Sequence, residues 1–244
     1  MSEQIEGRNP VLEAFRSGKT VERIFLLDGC MDGPLRTIVR EAGKQDTIVS
    51  YVKKERLDQM SETGSHQGVI ARVSDYAYST VDQMLENAEK KGEDPFLILL
   101  CNVEDPHNLG AIIRTANLAG AHGVIIPKRR SVQLGGTVAK ASAGAVNYTP
   151  VARVTNLART LEELKEKGIW TVCADMDGEV LFTLPLAGPI ALVIGGEGQG
   201  VSRLVREKCD HIASVPCTGE INSLNASVAC GIMAFEIVRQ RLWA

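Results

Sequence analysis

The chain of 244 residues carries 27 basic and 30 acidic side chains, which gives a formal net charge of −3. Hydrophobic residues make up 44% and charged residues 23%, so a disordered chain is excluded and a buried core is expected. The weakly acidic balance gives no global sign of a nucleic-acid partner, and such a partner has to be argued from local features. No stretch reaches the roughly 18 apolar residues that cross a bilayer, so we expect no membrane span.

The six cysteines lie far apart in the sequence, with no C-x-x-C pair and no cysteine–histidine cluster at zinc-ligand spacing. This spacing predicts neither a disulfide framework nor a metal site, and it is typical of a reducing compartment. The first residues, MSEQIEGRNP, contain no apolar signal core. We therefore expect a cytoplasmic protein that binds no metal.

The first 75 residues alternate between helical and strand patterns. They predict a short helix, a strand, a second helix, a strand, a third helix and a closing strand in NPVLEAFRSG, VERIFLL, DGPLRTIVREAGKQ, TIVSYVK, KERLDQMSE and HQGVIARV. We therefore expect a small α/β domain over residues 1–75. Residues 76–95 are polar and charged, with one weak helical stretch around Val81 to Lys90, and are predicted to be a linker.

Residues 96–244 are predicted to form a second, larger α/β domain. The run FLILLCNV is apolar on both faces, which is typical of a central parallel strand. Strand patterns at GVIIP, NYTPVARV, WTVCADM, IALVIGG and HIASVPC then alternate with helical patterns, the last of which is SLNASVACGIMAFEIVRQRLW. This alternation predicts a parallel sheet with helices on both faces, and ligands of such sheets bind beyond the carboxyl ends of the strands.

The first strand-end loop, NVEDPHNLGAIIRTA at 102–116, contains polar residues that a core does not need. Asn108 can cap the following helix by accepting a backbone N–H. Arg114 follows on an otherwise apolar helix, where a buried guanidinium is costly unless it is paired or points into a cleft. A structural ion pair, for instance with Glu104, and a functional role in a cleft both fit the sequence.

The second strand-end loop, IGGEGQGVS at 194–202, is rich in glycine, which allows positive φ and a close approach of backbone to a ligand. It departs from the Rossmann fingerprint G-x-G-x-x-G, because Val201 stands at the last position and the glycine comes one residue early. Glu197 at its centre repels phosphates and suits a cationic or hydroxyl-bearing partner. A simple turn with a solvated acid is the alternative.

The third strand-end loop, VPCTGEINSLNAS at 215–227, begins with Pro216, which stops the strand from donating further ladder bonds. Four small polar residues crowd the start of the final helix: Asn222, Ser223, Asn225 and Ser227. One of them suffices as a helix cap, and the exposed N–H groups of a helix start can hold a carboxylate or a phosphate.

A basic segment follows the GVIIP strand and contains Lys128, Arg129 and Arg130, with Lys140 beyond it. This segment is the best local candidate for contacts to a phosphate backbone. A solvated charged face is the alternative.

Together, the three loops resemble the three motifs of the SpoU (TrmH) family within the SPOUT methyltransferases. The matching patterns are N-x5-R from Asn108 to Arg114, G-x-E-G-x-G within 195–200, and S-L-N-x-S within 223–227 after a V-P strand end. This resemblance covers the whole second domain, with Ala226, where valine is common, as a mild departure. The first domain, with EGRNPVLEAFRSG and HQGVIARV, resembles the substrate-binding domain of the bacterial 23S rRNA guanosine 2′-O-methyltransferases (the RlmB subgroup).

The resemblance implies a SPOUT-type parallel sheet whose C-terminal segment threads a loop to form a deep trefoil knot. It also implies that the first domain has a small L30e-like α/β fold that binds RNA. Periodicity alone would not have predicted the knot, because chains rarely thread loops. A homodimer is implied as well, with the active site at the subunit interface and the final helix in that interface.

The resemblance further implies methylation of a ribose 2′-hydroxyl in RNA, most closely 23S rRNA or its precursor, with S-adenosylmethionine as cofactor. The implied cofactor-binding residues are Gly195, Gly196, Val215, Pro216 and Leu224. The implied catalytic residues are Arg114, Asn108, Glu197, Ser223 and Asn225. Since the pKa of a guanidinium lies above about 12, arginine is a poor base. Binding the adjacent phosphate and stabilising the developing alkoxide is the physically easier role.

Three alternatives stay open at this point. The substrate within the same family can be tRNA instead of ribosomal RNA. A non-catalytic RNA-binding protein would keep the first domain and have a degenerate second one. A nucleotide-dependent oxidoreductase would use a Rossmann sheet, although the chain lacks that fold's glycine fingerprint.

Overall fold

The computed structural model describes residues 3–45, 47–74, 76–221 and 223–243. The chain divides into two compact units, Met1–Ala77 with Leu134–Gly136, and Tyr78–Gln133 with Thr137–Ala244. All six cysteines are free thiols. Of the helices in the described ranges, none is long and apolar enough to cross a membrane.

The first unit is a four-stranded mixed sheet with three helices. Its strands stand in the order β1-β4-β2-β3; β2 and β3 are parallel, and β4 is antiparallel to both β1 and β2. Helices α1 and α2 supply core residues such as Phe15 and Ile38 to one face of the sheet. The elements are β1 (Glu3–Glu6), α1 (Arg8–Arg16), β2 (Thr20–Leu27), α2 (Gly33–Lys44), β3 (Ile48–Val52), α3 (Lys54–Met60) and β4 (Val69–Ser74).

The second unit is a six-stranded, all-parallel sheet in the order β10-β8-β9-β5-β6-β7. Two short 3-10 helices, Ala145–Asn147 and Leu181–Thr183, lie between its regular elements. Those elements are α4 (Val81–Lys91), β5 (Phe96–Cys101), α5 (Pro106–Leu118), β6 (Gly123–Pro127), α6 (Gly136–Ala141), β7 (Val151–Val154), α7 (Leu157–Glu166), β8 (Trp170–Val180), β9 (Ile190–Gly195), α8 (Arg203–Lys208), β10 (His211–Ser214) and α9 (Ala226–Leu242).

The two faces of this parallel sheet are both covered, as the continuous apolar run of β5 predicts. Leu97 and Leu99 of β5 share a core cluster with α4, α7 and α8. Because side chains alternate along a strand, Ile98 and Leu100 face the other side, and both are fully buried. The predicted α/β fold with a parallel sheet is therefore confirmed, whereas the trefoil knot stays a prediction.

The prediction that residues 76–95 form a linker is wrong for helix α4. A capping box between Thr80 and Gln83 starts this helix, and Gly92 ends it in the left-handed conformation. Met84 is fully buried in the core of the second unit, beside Gly123, where any β-carbon would overlap the Met84 side chain. The helical stretch predicted around Val81 to Lys90 is present. Its polar composition concealed that one narrow face of it belongs to the core.

We expect Gly110→Ala to destabilise the second unit by about 1–3 kcal/mol, because the new methyl group overpacks the contact between α5 and α6. A β-carbon on Gly110 would overlap that of Ala141 and lie 2.8 Å from the carbonyl oxygen of Val138. Helix propensity alone predicts the opposite sign. Urea unfolding measures the change. The control is Gly188→Ala, where a β-carbon meets nothing within 4 Å; a Gly110→Ala protein as stable as this control would contradict the packing argument.

Candidate functional site

Two of the three strand-end loops leave the sheet side by side. Strands β5 and β9 are neighbours, with Cys101 opposite Gly195, and the Gly196 backbone N–H donates to the Cys101 carbonyl at 2.8 Å. A β-carbon on Gly196 would overlap the carbonyl oxygen of Asn102, and one on Gly195 would overlap the backbone of Gly200. These two glycines therefore allow two segments of protein backbone to approach each other closely. The sequence pattern had predicted a close approach of backbone to a ligand.

All three loops meet at one hydrogen-bonded triad: Asn108 of α5, Glu197 of the glycine loop and Asn225 at the start of α9. The Asn108 side-chain amide donates to Glu197 Oε1 at 3.1 Å. The Asn225 amide donates to the same Oε1 at 2.6 Å and to Asn108 Oδ1 at 3.0 Å. Two amides that lie 117 positions apart in the sequence thus share one carboxylate oxygen of Glu197.

The helix caps in this region differ in part from the prediction. Asp105, and not Asn108, caps α5, because its Oδ1 accepts the His107 N–H at 3.0 Å. The buried Asn108 is thereby free to face Glu197. Asn225 caps α9, with its Oδ1 accepting from the Ser227 N–H at 2.9 Å and from the Ser227 hydroxyl at 2.6 Å. Asn222, the other polar residue predicted at this helix start, lies outside the described residues.

A cavity of about 450 Å³ opens beside the triad at the carboxyl ends of β9 and β10 and next to the middle of β8. Its size and its mixture of apolar side chains and glycine backbone suit a small organic ligand. The predicted residues Gly195, Gly196, Val215 and Leu224 line it, and so do Glu197 and Ser223, whereas Pro216 does not. Other residues that line this cavity carried no sequence signal, among them Met176, Ile194, Gln199, Ala213 and Met233.

A second cavity, of about 240 Å³, adjoins the first and is more polar. Both cavities are lined by Gly196, Glu197 and Gln199. The rest of the second cavity comes from Asn108 of α5 and from the loop after β5, namely Asn102, Val103, Glu104 and Asp105. Glu197 thus stands between an apolar cavity and a polar one.

Arg114 does not join the triad within one chain. It lies six residues after Asn108, about 9 Å along the helix and about 600° around it, and therefore on a different face. Arg114 is exposed, and within the part of the chain that the structure describes its side chain makes no hydrogen bond or ion pair and lines neither cavity. The ion pair with Glu104 that we considered is not formed.

The basic segment after β6 lies beside the loop that follows β5, because the Val132 N–H donates to the Val103 carbonyl at 3.1 Å. Arg153 of β7 adds a cation that the sequence analysis missed. Its guanidinium carbon lies 4.2 Å from the centre of the Tyr78 ring. Burial, and then the charge of Arg153, lower the pKa of Lys128.

The comparisons with known proteins cover both units. The family model described as "SpoU rRNA Methylase family" matches residues 95–235, more than half of the chain. The chain belongs to the SpoU rRNA methylase family. A second model, "RNA 2'-O ribose methyltransferase substrate binding", matches residues 4–79. The resemblance given by the three loop motifs is thereby confirmed.

Two relatives of similar length match nearly the whole chain. A Bacillus subtilis protein named for the TrmH family of tRNA/rRNA methyltransferases is 48% identical over 99% of this chain and 98% of its own length. A Staphylococcus haemolyticus protein with the same family name is 46% identical, over 97% and 95% of the two chains. The chain is therefore an RNA methyltransferase of the TrmH/SpoU family, and these names cover both tRNA and rRNA.

Solved SpoU structures share the fold. AviRb from Streptomyces viridochromogenes, crystallised in complex with AdoMet, superposes with a TM-score of 0.64 at 24% identity, over 100% of this chain and 92% of its own. A structure described as an RNA 2'-O ribose methyltransferase superposes with a TM-score of 0.55 at 22% identity, over 98% and 88% of the two chains. At these identities the likeness shows the fold.

We expect Asn108→Ala and Asn225→Ala to be energetically coupled in this SpoU protein, by about 0.5–3 kcal/mol, as residues within one hydrogen-bond network are. Either substitution removes a hydrogen-bond donor to Glu197 and weakens the triad. The second substitution then lowers the free energy of unfolding by less than it does in the wild type. A double-mutant cycle of unfolding free energies measures the coupling. The same cycle with Asn117→Ala, an exposed position on α5, is the control; additivity of the Asn108 and Asn225 changes would contradict the triad.

Proposed function

We propose that this SpoU-family protein transfers the methyl group of S-adenosylmethionine to a ribose 2′-hydroxyl of RNA, with a guanosine of 23S rRNA as the substrate. The observation that carries the proposal is the Asn108–Glu197–Asn225 triad at the junction of the two cavities. The family model for ribose methyltransferase substrate binding, which matches residues 4–79, supports the choice of the ribose hydroxyl.

The larger cavity fits the cofactor in size and chemistry. At about 450 Å³ it falls within the range of small-molecule sites. Apolar side chains such as Leu224 and Met233 suit the faces of an adenine ring, and the backbone of Gly195 and Gly196 offers polar groups without side chains. When bound, S-adenosylmethionine supplies a methyl group on a positively charged sulfur that already serves as a leaving group.

The protein's task in this reaction is to hold the ribose oxygen in line with that methyl group and to stabilise the charge that develops on the oxygen. Asn108, Glu197 and Asn225 fix one another, so the wall between the cavities is preorganised. Ser223, in the lining of the larger cavity, and Asn225 lie where they can orient a ribose. Arg114 binds the adjacent phosphate and stabilises the developing alkoxide, a role that needs no loss of its proton.

Arg114 reaches this site from the partner in a homodimer. Helices α5 and α9 leave large apolar side chains exposed, with Val228 at 50%, Phe235 at 48% and Leu242 at 68% of full exposure. These three are spaced seven residues apart on one stripe of α9, and Leu118 of α5 is 66% exposed as well. Such an apolar surface is typical of a helix-packed interface. Burying it against a second copy brings the exposed face of α5, which carries Arg114 and Leu118, to the partner.

RNA contacts beside the site come from the basic segment Lys128, Arg129 and Arg130, with Arg153 behind it. The hydrogen bond between Val132 and Val103 holds this segment next to the polar cavity. Several cations close to the reacting ribose can bind the phosphates on either side of the target nucleotide. The first unit selects the RNA.

We expect the wild-type protein to transfer tritium-labelled methyl groups to 23S rRNA, at a ribose 2′-oxygen of guanosine, and not to tRNA. Arg114→Ala lowers this transfer at least roughly a hundredfold, the loss typical of one oriented electrostatic group, and leaves the Kd of S-adenosylmethionine nearly unchanged. The matched control is Arg159→Ala, an exposed arginine on α7. Labelling of tRNA alone would reject 23S rRNA as the substrate. Full turnover by Arg114→Ala would reject the catalytic role of Arg114.

A heterodimer of Arg114→Ala and Glu197→Ala chains tests whether the site spans two subunits. In it, one site lacks both groups and the other keeps both, so we expect about half of the wild-type turnover per dimer, since a symmetric dimer has two equivalent sites. Each variant homodimer stays nearly inactive. The two chains carry different affinity tags, which allows the heterodimer to be purified. A heterodimer as inactive as the homodimers would mean that Arg114 acts within its own chain.

A further inference from the structure

The sheet of the first unit has one face that the helices α1 and α2 do not cover. Gln4, Arg72, Arg23 and Ile48 form a row across this face, on the neighbouring strands β1, β4, β2 and β3. Helix α3 contacts β2 through part of this face, and the Gln4 amide of β1 donates to the Met60 carbonyl at its end at 2.7 Å. The middle of the row, with both arginines, stays exposed.

A β-bulge in β2 places Arg23 on this face. The register shifts between Val21, which lies opposite Val73, and Arg23, which lies opposite Arg72, so that Glu22 is an extra residue. In a regular strand Arg23 would follow Val21 by two positions and point into the core. Bulges that redirect a side chain in this way are frequent beside functional sites.

The two arginines are direct cross-strand neighbours, an arrangement in which like charges repel. Within the described part of the chain neither side chain forms an ion pair or hydrogen bond. The carboxylate on the same face, Glu6, accepts hydrogen bonds from Gln4, from Ser61 and from Thr63 instead. The sheet therefore presents two uncompensated positive charges side by side.

Phe25 lies in the next row of the same face. The guanidinium carbon of Arg23 and that of Arg72 are each 5.9 Å from the centre of its ring. The ring is only partly buried. An aromatic ring beside two cations matches the repeating chemistry of a nucleic-acid strand, in which bases alternate with phosphates.

We propose that Arg23, Phe25 and Arg72 form a binding surface for an unpaired RNA nucleotide, with its base stacked on Phe25 and its phosphate bound by both arginines. The surface lies within residues 4–79, which match the model for RNA methyltransferase substrate binding. The inference rests on the proposed function in that RNA is the substrate. An acidic protein segment could pair with the two arginines, but its carboxylates would not stack on the ring of Phe25.

The test uses the full-length protein and a fluorescent single-stranded RNA of mixed sequence, without cofactor, so that its outcome does not depend on methyl transfer. We expect Arg23→Gln/Arg72→Gln to weaken binding roughly tenfold or more and to lower the salt dependence of log Kd by roughly 0.7, as the loss of one neutralised phosphate on a single strand predicts. Phe25→Leu weakens binding to a similar degree by removing the stacking ring, and it leaves the salt dependence unchanged.

The matched control is Arg16→Gln/Arg40→Gln, two exposed arginines of the same unit on α1 and α2, each beside a glutamate. We expect this control to bind RNA like the wild type. An equal loss in the control, or no loss in either Arg23→Gln/Arg72→Gln or Phe25→Leu, would overturn the proposal. Competition by polyglutamate together with normal RNA binding by Phe25→Leu would instead assign the surface to an acidic protein.

Thermal unfolding separates binding from structure. Because Arg23 and Arg72 repel each other, removing both charges should leave the melting temperature unchanged or raise it. RNA affinity would then fall without any loss of stability. A lower melting temperature together with weaker RNA binding in Arg23→Gln/Arg72→Gln would make the arginines structural and overturn the proposal.

Discussion

The carboxylate of Glu197 joins three segments that lie far apart in the sequence. Two side-chain amides, those of Asn108 and Asn225, donate to one of its oxygens, and Asn225 also donates to Asn108. Asn108 is buried, so losing its acceptor would cost more than the hydrogen bond itself contributes, whereas Glu197 and Asn225 are exposed. The start of α5, the loop after β9 and the start of α9 are fixed relative to one another by this contact. Both cavities depend on it, because Glu197 lines each of them.

Much of the fold followed from sequence patterns. The all-apolar run of β5 and the strand–helix alternation after it predicted the parallel sheet. The polar residues of the three strand-end loops included all three members of the triad. Edge elements were harder. Strand β1 (Glu3–Glu6) is short and mostly polar, so only its pairing with β4 identifies it. Helix α4 depends on Met84 filling the space beside Gly123, a tertiary contact that no local pattern reports.

Side-chain roles were predicted less well than side-chain positions. Asn108 and Asp105 both suit a helix cap, and only the structure shows that Asp105 takes the cap and leaves Asn108 to Glu197. Helical phase puts Arg114 and Asn108 on different faces, which a count of residues could have revealed. Arg153 had no sequence signal, because its neighbours Tyr78 and Lys128 lie on other segments. The net charge of −3 also concealed Arg23 and Arg72, which only strand register brings together.

The backbone contacts of Gly195 and Gly196 have a consequence for family members that have lost methyl transfer, because they decide which residues such proteins would keep. Both glycines are fixed by the crossing of two chain segments and not by a ligand, so a protein that had lost methyl transfer would still need them to fold. The glycine-rich signature is therefore a mark of shared ancestry. On the proposed function, we expect catalytic decay to become visible first at Glu197 and its two amide partners, where a change would harm methyl transfer while the sheet itself survives.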